Sequence, residues 1–155
     1  MREILFRGKL ANGKWAYGNL DIGYNGVCII TPDRTLLGCY GQVDPETVGQ
    51  YTGLVDKNGG KIFEGDIVKC KHYYDDYDLT FEGHKIRNAY GKEIEKGSEL
   101  YTYWRNYEVR MGDGRWVIRN GSDGHDVKQN YIQNHSVEVI GNIHDNPELV
   151  KEEPK

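Results

Sequence analysis

The stretch "GGKIFEGDIVKC" (residues 59–70) predicts how this chain folds. Gly65 can adopt a positive φ, and Asp66 can accept hydrogen bonds from nearby backbone N–H groups, so the two residues suit a tight turn. The β-branched residues Ile67 and Val68 then favour an extended strand. A glycine–aspartate turn that leads directly into β-branched residues indicates the first strand of a small β-barrel.

Similar patterns on both sides of this stretch indicate a mostly β protein. Residues 2–20 predict a β-hairpin, in which alternation places Ile4 and Phe6 on one face and Glu3, Leu5 and Arg7 on the other. Its turn, "ANGK" (11–14), contains the Asn-Gly pair that favours a type I′ turn. Further strands are predicted over residues 26–30, 35–43, 99–111, 116–120 and 136–143.

The second half of the chain is expected to complete the barrel. Because a barrel must close, its first and last strands come near each other, so "VEVIG" (137–141) is expected to join the strand that contains Val68. Val68 and Val139 are then expected to face the core. The Asp-Gly of "GDGR" predicts a hairpin turn, and "NGSDGHD" (120–126) is interpreted as a loop.

The composition is that of a globular domain rich in tight turns. A chain of 155 residues can bury roughly two-thirds of its unfolded surface. Hydrophobic content is only 37%, but 12 Tyr and 3 Trp residues compensate, because each large ring buries much area. The 20 Gly residues favour hairpins over a helical bundle. The net charge of -4 argues against duplex-DNA binding, which usually needs a basic face, although a local basic patch stays open.

Cysteine usage and the first residues indicate a cytoplasmic protein. Cys28, Cys39 and Cys70 are odd in number and widely spaced, and no Cys-x-x-Cys occurs, so neither a zinc ribbon nor a redox pair is predicted. The opening "MREILFRGKL" has charges inside its apolar stretch, unlike a signal peptide. No stretch approaches the ~20 apolar residues of a membrane span.

Histidine–aspartate pairs are the first candidates for metal or hydrolase chemistry. They are His125-Asp126 and His144-Asp145, and His135 lies between them in sequence. A metal site needs three or four ligands that converge at about 2 Å, and pairs in turns rich in Gly and Asn do not indicate such convergence. Turn chemistry is therefore favoured, no catalytic or metal-binding residue is assigned, and we expect purified protein to contain no stoichiometric metal.

The aromatic strand near residues 101–107 is a second candidate. Tyr103 and Trp104, with Arg105 and Arg110, have the combination of rings and cations that binds single-stranded nucleic acid. Alternating aromatic residues also fill one face of a sheet, and this core-packing interpretation is favoured.

The sequence gives little support for a calcium site, a serine nucleophile or a nucleotide cofactor. The acidic "DDYD" (75–78) lacks the ligand spacing of an EF-hand loop and is interpreted as a solvated loop. None of Ser98, Ser122 and Ser136 lies in a Gly-x-Ser-x-Gly turn. No phosphate-binding loop or dinucleotide motif is present, so no cofactor is predicted.

Several stretches resemble the YopX family, a group of small proteins found mainly in phages and prophages of bacteria. Two carry most of the resemblance: "ETVGQYTGLVDKNGGKIFEGDIVKC" (46–70) and "VEVIGNIHDNPEL" (137–149). "REILFRGK" (2–9) and "WAYG" (15–18) are similar to the family's opening. The resemblance implies an SH3-like small barrel and brings no enzymatic activity, cofactor or functional residue with it. Residues 71–100 resemble no known pattern.

We therefore expect a mostly β chain divided into three parts. They are an N-terminal β-rich extension built on the hairpin (1–47), an SH3-like barrel with a polar insertion near residues 71–100 (48–148) and a charged tail (149–155).

The leading functional hypothesis is a phage- or prophage-encoded, non-enzymatic module that binds an unknown host or phage macromolecule in the bacterial cytoplasm. Two alternatives stay open: a single-stranded nucleic-acid binding protein that uses the aromatic strand, and a small enzyme acting on nucleic acid or nucleotides through a His/Asp site. Neither duplex DNA nor a membrane is expected as a partner. Exposed edge strands are compatible with a homo-oligomer.

Overall fold

The structure is a computed structural model that describes residues 3–24, 26–30, 41–73 and 102–151. The strands within these residues are β1 (Phe6–Lys9), β2 (Trp15–Gly23), β3 (Gly26–Ile30), β4 (Gly41–Val43), β5 (Gly49–Val55), β6 (Lys61–Phe63), β7 (Asp66–Tyr73), β8 (Thr102–Gly112), β9 (Arg115–Asn120), β10 (Asp123–Asp126) and β11 (Glu138–Asn142). The helices there are α1 (Gln129–Asn134) and two 3₁₀ helices, Pro45–Thr47 and Pro147–Val150. The predicted mostly β class is confirmed.

The strands form two antiparallel sheets. The order is β4-β3-β2-β1-β5-β6 in the six-stranded sheet and β10-β9-β8-β7-β11 in the five-stranded sheet. Closing the second sheet would require β10 to pair with β11, but these strands lie at its two opposite edges. Among the described residues, therefore, the predicted closed barrel is wrong: both sheets are open.

The predicted meeting of β7 and β11 is confirmed. Val139 lies opposite Val68, and the register then shifts at a bulge before Gly141. Val68 is fully buried and Val139 packs against the same core, because residues opposite each other share a face, and Ile132 of α1 belongs to the core on that face.

The two hairpin turns differ in type. Asp113 and Gly114 both have positive φ, as a two-residue type I′ turn requires, so the predicted "GDGR" turn is confirmed. In the β1–β2 hairpin Gly13 has a φ of 82°, whereas Asn12 does not have a positive φ, so the predicted type I′ turn is wrong. The loop is longer there, because the backbone of Leu10 bonds to that of Gly13 and Lys14, and longer loops place a single left-handed glycine at their end.

The first strand buries the face that carries the charged residue Arg7. Leu5 and Arg7 are 9% and 6% exposed, whereas Ile4 is 65% exposed. Alternation was predicted correctly, but hydrophobicity alone did not identify the inner face, because Arg7 is buried by an ion pair with a residue 59 positions away.

The main hydrophobic core lies between the five-stranded sheet, β6 and α1. Its buried members are Ile62, Val68, Cys70, Tyr107, Val109, Trp116, Ile118, Val127, Ile132 and Val137. A smaller core of Leu5, Tyr51 and Phe63 lies in the six-stranded sheet. The six-stranded sheet contains strands from both sides of the proposed boundary at residue 47. The division into an N-terminal extension (1–47) and a barrel (48–148) stays a prediction.

Several elements were not predicted, among them β5, β6, β10, α1 and the 3₁₀ helix Pro45–Thr47. Residues 123–126, interpreted as loop, form β10 along the edge of β9, because backbone pairing with a neighbouring strand outweighs their weak β propensity. The six-residue α1 lacks a side-chain cap at Lys128, so its sequence carries little helical signal.

Several predictions fall outside the described residues: strand residues 35–40, Cys39, most of the polar insertion, the acidic 75–78 segment, Ser98 and the last four residues. Within the described part of the chain, no helix is both long and apolar enough to cross a membrane.

Candidate functional site

The turn before β7 is a structural junction. The carboxylate of Asp66 lies 2.6 Å from the guanidinium of Arg7 and accepts a hydrogen bond of 2.7 Å from the backbone N–H of Phe63. Gly65 has a φ of 82°, donates its N–H to the carbonyl of Val109 and accepts from the N–H of Ile143. Burial raises the pKa of Asp66, and the charge of Arg7 opposes that rise. These contacts connect β1, β6, β8 and the segment after β11.

His144 and Asp145 form a second junction rather than a reactive site. Asp145 accepts from the ammonium of Lys9 and, at 2.9 Å, from the indole N–H of Trp15. These bonds, with one from Asn142, hold the pKa of Asp145 well below its usual range. The His144 ring lies 5.9 Å from the Trp15 ring. This pair therefore joins the end of the chain to the β1–β2 hairpin.

The other sequence candidates separate at β10. Asp126 pairs with the exposed Arg115 at 3.1 Å. His125 points to the opposite face of the strand, where its Nε2 lies 3.1 Å from the carboxylate of Asp123. The adjacent His125-Asp126 pair is thus not a unit, and Asp123, which sequence analysis did not single out, is the aspartate that contacts the histidine.

Three histidine rings come together on the face of the five-stranded sheet that carries the buried Val68 and Cys70. The His72 ring lies 5.2 Å from that of His125 and 5.5 Å from that of His135. They come from β7, from β10 and from the residue that ends α1. His72 was missed by sequence analysis, although its alternation with the buried Val68 and Cys70 could have placed it on the inner face.

A chain of hydrogen bonds connects the buried histidine to the surface. The hydroxyl of Tyr107, a fully buried residue, lies 2.9 Å from Nε2 of His72 and donates to Asp123 at 2.7 Å. The same carboxylate contacts His125 and, at 3.2 Å, Arg105. We call these five residues and His135 the histidine cluster.

The tautomers within the cluster follow from these contacts. Because the Tyr107 hydroxyl donates to Asp123, the Nε2–H of His72 donates to Tyr107. Nδ1 of His135 lies 2.8 Å from the carbonyl of Lys71, which can only accept, so this nitrogen carries a proton. The remaining ring nitrogen of each imidazole is therefore the basic one.

Burial and neighbouring charges shift the ionisation of the cluster. Desolvation, followed by the charges of His125 and His135, lowers the pKa of His72. Desolvation also raises the pKa of Tyr107, and its bond to Asp123 adds to the rise. For Asp123 desolvation alone would raise the pKa, but the bond from Tyr107 and the positive neighbours outweigh it, so the pKa is lowered.

Tyr131 covers the cluster from α1. Its ring stacks 4.1 Å from that of His135 and lies 5.9 Å from that of His125. Its hydroxyl oxygen is buried and has no hydrogen-bond partner. Burial raises its pKa, as it raises the pKa of the nearby Cys70 thiol to about 12, so both groups keep their protons at neutral pH.

The described residues contain no group of three or more His, Cys, Asp or Glu side chains arranged to hold a metal ion. In the cluster, the nitrogens of His72 and His125 that point to Tyr107 and Asp123 already have protein partners. The arrangement suits proton exchange and hydrogen bonding rather than metal ligation.

The aromatic strand β8 divides its candidates between two faces. Trp104 lies opposite Lys71, whereas Tyr103 lies opposite His72. Because residues opposite each other share a face, Tyr103 and Arg105 belong to the cluster side and Trp104 to the other. They do not form one continuous stacking platform.

Trp104 lies on the outer face with two cationic neighbours. The ring is 46% exposed, and the ammonium groups of Lys69 and Lys57 lie 5.1 Å and 6.0 Å from its centroid. Lys57 also pairs with Glu138 at 2.7 Å. We call Trp104, Lys57 and Lys69 the tryptophan face.

Comparisons with known proteins agree with this fold. A family model described as "YopX protein" matches residues 14–151, so the similarity of the opening strand lies outside the matched region. Among solved structures, the "Crystal structure of protein EF1440 from Enterococcus faecalis" matches with a TM-score of 0.51 and 22% identity, covering 97% of this chain and 100% of that chain. Identity this low shows the fold alone. A comparison with curated proteins gave no significant match.

Proposed function

The chain belongs to the YopX family, and on this premise we propose that it is a non-enzymatic binding protein whose tryptophan face docks on another macromolecule. The observation that carries the proposal is the exposed Trp104 ring with the ammonium groups of Lys57 and Lys69 beside it. Large exposed aromatic residues are enriched at binding surfaces, where one ring buries much area.

The charge of this face indicates the kind of partner. Two lysines flank the ring, and within the described ranges Glu138 is the carboxylate that pairs with one of them, Lys57. An acidic surface on a host or phage protein would complement the remaining positive charge. We include in the proposal that the protein is phage- or prophage-encoded, works in the bacterial cytoplasm and binds neither duplex DNA nor a membrane.

The proposal also keeps the SH3-like description of the five-stranded sheet. Its support is the strand order: β7, β8, β9 and β10 follow one another as neighbours, and β11 returns to the free edge of β7. The first and last strands of the unit thus meet, as they do in small barrels, although the described sheet stays open.

The test compares single variants in affinity capture from host cells, followed by binding measurements with the purified captured partner. Trp104→Ala and Lys69→Glu should each abolish most of the binding. Met111→Ala is the matched control, because Met111 is 44% exposed but lies on the opposite face of β8. A partner that binds all three variants equally, or no partner at all, contradicts the proposal.

Self-association is a separate part of the proposal. Among the described strands, β6, β10 and β11 are edge strands of the two sheets, and an unpaired edge can pair with a second copy. We expect light scattering at high concentration to give a mass above that of one chain. A mass that stays near 17.8 kDa would show that the edges do not associate.

A further inference from the structure

The β10 strand forms one edge of the five-stranded sheet, and among the described strands it has β9 as its neighbour on one side and none on the other. We propose that two copies of this chain pair through β10, antiparallel to each other and about a two-fold axis at His125. The inference rests on the self-association within the proposed function. It names the edge that carries this association and the side chains that set its register.

The main-chain groups on the outer side of β10 belong to Gly124 and Asp126. The N–H of Val127 donates to the carbonyl of Trp116 in β9, and residues 123–126 continue the same register. Because successive residues of a strand point their N–H and C=O groups to opposite sides, those of Gly124 and Asp126 point away from β9. Both residues are exposed, and neither N–H has a hydrogen-bond partner among the described residues. This edge is therefore free to pair with another strand.

The other two described edge strands, β6 and β11, already use groups on their outer sides. In β11 the N–H of Val139 donates to the carboxylate of Asp56 at 3.2 Å. In β6 the N–H of Phe63 donates to the carboxylate of Asp66 at 2.7 Å. A second copy at either edge would compete with these bonds, whereas pairing at β10 breaks no bond between residues that the structure describes.

The helix that follows β10 leads away from this edge. The side chain of Gln129 in α1 donates to the carbonyl of Val55 in β5 at 3.1 Å. At the end of α1, Nδ1 of His135 lies 2.8 Å from the carbonyl of Lys71 in β7, which β8 and β9 separate from β10. The chain after β10 thus crosses the inner face of the sheet toward β7 and leaves the edge open.

Charge sets the register of the pairing. The free groups at residues 124 and 126 allow a two-fold axis at residue 124, 125 or 126. An axis at Asp126 places its carboxylate opposite that of the second copy, which is repulsive. An axis at Gly124 places two residues without side chains opposite each other. An axis at His125 places Asp126 of the second copy opposite Gly124, where a cation already lies.

This cation is Arg119. It lies opposite Gly124 on β9, with a guanidinium nitrogen 3.3 Å from the place that a Cβ would take at Gly124. Arg119 is exposed and forms no ion pair with a described residue, because Glu108, opposite it on β8, is paired with Arg110 at 2.6 Å. The side chain of Asp126 is 45% exposed.

The distance across the proposed axis suits an ion pair. Arg119 and Asp126 of the second copy are two strand spacings apart, or about 10 Å between their Cα atoms, and the two side chains together span this distance over the glycine. The two-fold symmetry forms the contact twice. Main-chain hydrogen bonds supply the attraction, and the charge pairs supply the register.

The pairing has a consequence for the tryptophan face. Trp104 and Glu108 are both even-numbered residues of β8 and share a face, and Arg119 lies opposite Glu108 on that same face. Residues opposite each other across the new contact also share a face, so both tryptophan faces lie on one side of the joined sheets. The dimer is then bivalent, and it binds a partner with two acidic surfaces more tightly than one chain does.

The experiment measures the mass of the full-length chain by light scattering over a range of concentrations. Arg119→Glu and Asp126→Lys each bring like charges together twice across the axis, so each variant alone should raise the dissociation constant of the dimer at least about tenfold. An equimolar mixture of the two variants should recover the dimer, because every contact across the axis of the mixed dimer joins opposite charges. Arg110→Glu is the control, since it makes the same charge change on the same face of the sheet but on β8.

Hydrogen exchange followed by NMR tests the main-chain pairing without any substitution. The N–H groups of Gly124 and Asp126 should exchange at least about tenfold more slowly at a concentration where the dimer dominates than where single chains dominate. The N–H of Val127, which is bonded to Trp116 within one chain, is the internal reference and should change less. Equal changes at all three N–H groups would contradict pairing through β10.

The remaining outcomes separate this inference from the proposed function. If the wild-type mass stays near 17.8 kDa at high concentration, the self-association and this inference both fail. If the chain associates but the mixed variants do not recover the dimer, or Arg110→Glu weakens it as much as Arg119→Glu, this inference alone is wrong and another edge carries the contact. These substitutions leave the tryptophan face intact, so its docking is tested separately.

Discussion

The guanidinium of Arg7 lies 2.6 Å from the carboxylate of Asp66, and the two side chains are 7% and 2% exposed. Arg7 also donates to the carbonyl of Glu64 at 3.2 Å and lies over the rings of Trp15 and Phe63. This pair explains why an aspartate precedes the β-branched residues of β7. Asp66 shapes its own turn and neutralises a charge buried by the first strand of the chain.

Asp66→Asn should destabilise the protein by about 3–5 kcal/mol, because it leaves the charge of Arg7 buried without a counter-ion. Urea denaturation measures the loss. Glu3→Gln is the control, since it breaks an ion pair with Lys61 whose side chains are 54% and 42% exposed and should cost less than about 1 kcal/mol. Similar losses in both variants would show that the buried pair has no special role.

The β7 strand allows a ranking of three variants. Val68→Ala should cost roughly 1–3 kcal/mol through lost burial and a residual cavity. Gly65→Val should also destabilise, because Gly65 has a φ of 82° that a β-branched residue adopts poorly. Lys69→Ala should cost far less, since Lys69 is only partly buried. Equal midpoints of urea unfolding for all three would contradict the packing described for this strand.

Tyr107 and Tyr131 allow a comparison between a buried tyrosine hydroxyl that has hydrogen-bond partners and one that has none. Tyr107→Phe removes a hydroxyl that bonds both His72 and Asp123, so it should cost about 1–3 kcal/mol. Tyr131→Phe removes a hydroxyl that has no partner and should cost almost nothing. Thermal and urea unfolding of both variants check this difference, and a larger loss for Tyr131→Phe would show that its hydroxyl has a structural role.

The histidine cluster should make stability depend on pH. The pKa of His72 lies below its ordinary value of 6.5 in the folded protein, so the unfolded chain takes up a proton at a higher pH than the folded chain. The free energy of unfolding should therefore fall as pH falls below 6.5 and recover above it. Asp123, whose pKa is lowered, adds a further loss only near and below its ordinary value of 3.8.

His72→Gln tests the origin of this slope, because Gln can still donate to Tyr107 but does not titrate. The variant should show a weaker dependence of the urea midpoint on pH between about pH 8 and about pH 5. His144→Gln should keep the slope, since His144 lies against Trp15 outside the cluster. If the slopes of His72→Gln and the wild type coincide, His72 is not the group responsible.

Local patterns predicted most of the fold. Alternation and β-branched residues predicted β1, β3, β7 and β8, and the Asp-Gly turn between β8 and β9 was predicted because its dihedral requirement is local. The pairing of β7 with β11 was predicted from the two family-like stretches and from the expectation that the first and last strands of a barrel meet. The predictions that failed concerned contacts between residues far apart in sequence. Residues 123–126 form β10 because β9 offers an edge for pairing, and the sheets are open because of which strand edges find partners.

For the candidate sites, too, the sequence identified individual residues but not the contacts between residues on different strands. The sequence named His125 and His135 but paired each aspartate with its neighbour in the chain, whereas the structure pairs His125 with Asp123 and separates Asp126. It favoured core packing by alternating aromatic residues over a stacking platform, and the structure places Tyr103 and Trp104 on opposite faces of β8, as alternation requires.

The sequence by itself determined the β class, the family, most strand positions and the need for a glycine with positive φ before β7, because these depend on neighbours along the chain. Only the tertiary structure decided that Arg7 is buried by Asp66 and that His72, Tyr107 and Asp123 meet in one hydrogen-bonded chain. These contacts join residues 16 to 59 positions apart, and such long-range pairs form when whole sheets pack, under the rule that buried charges and polar groups find partners.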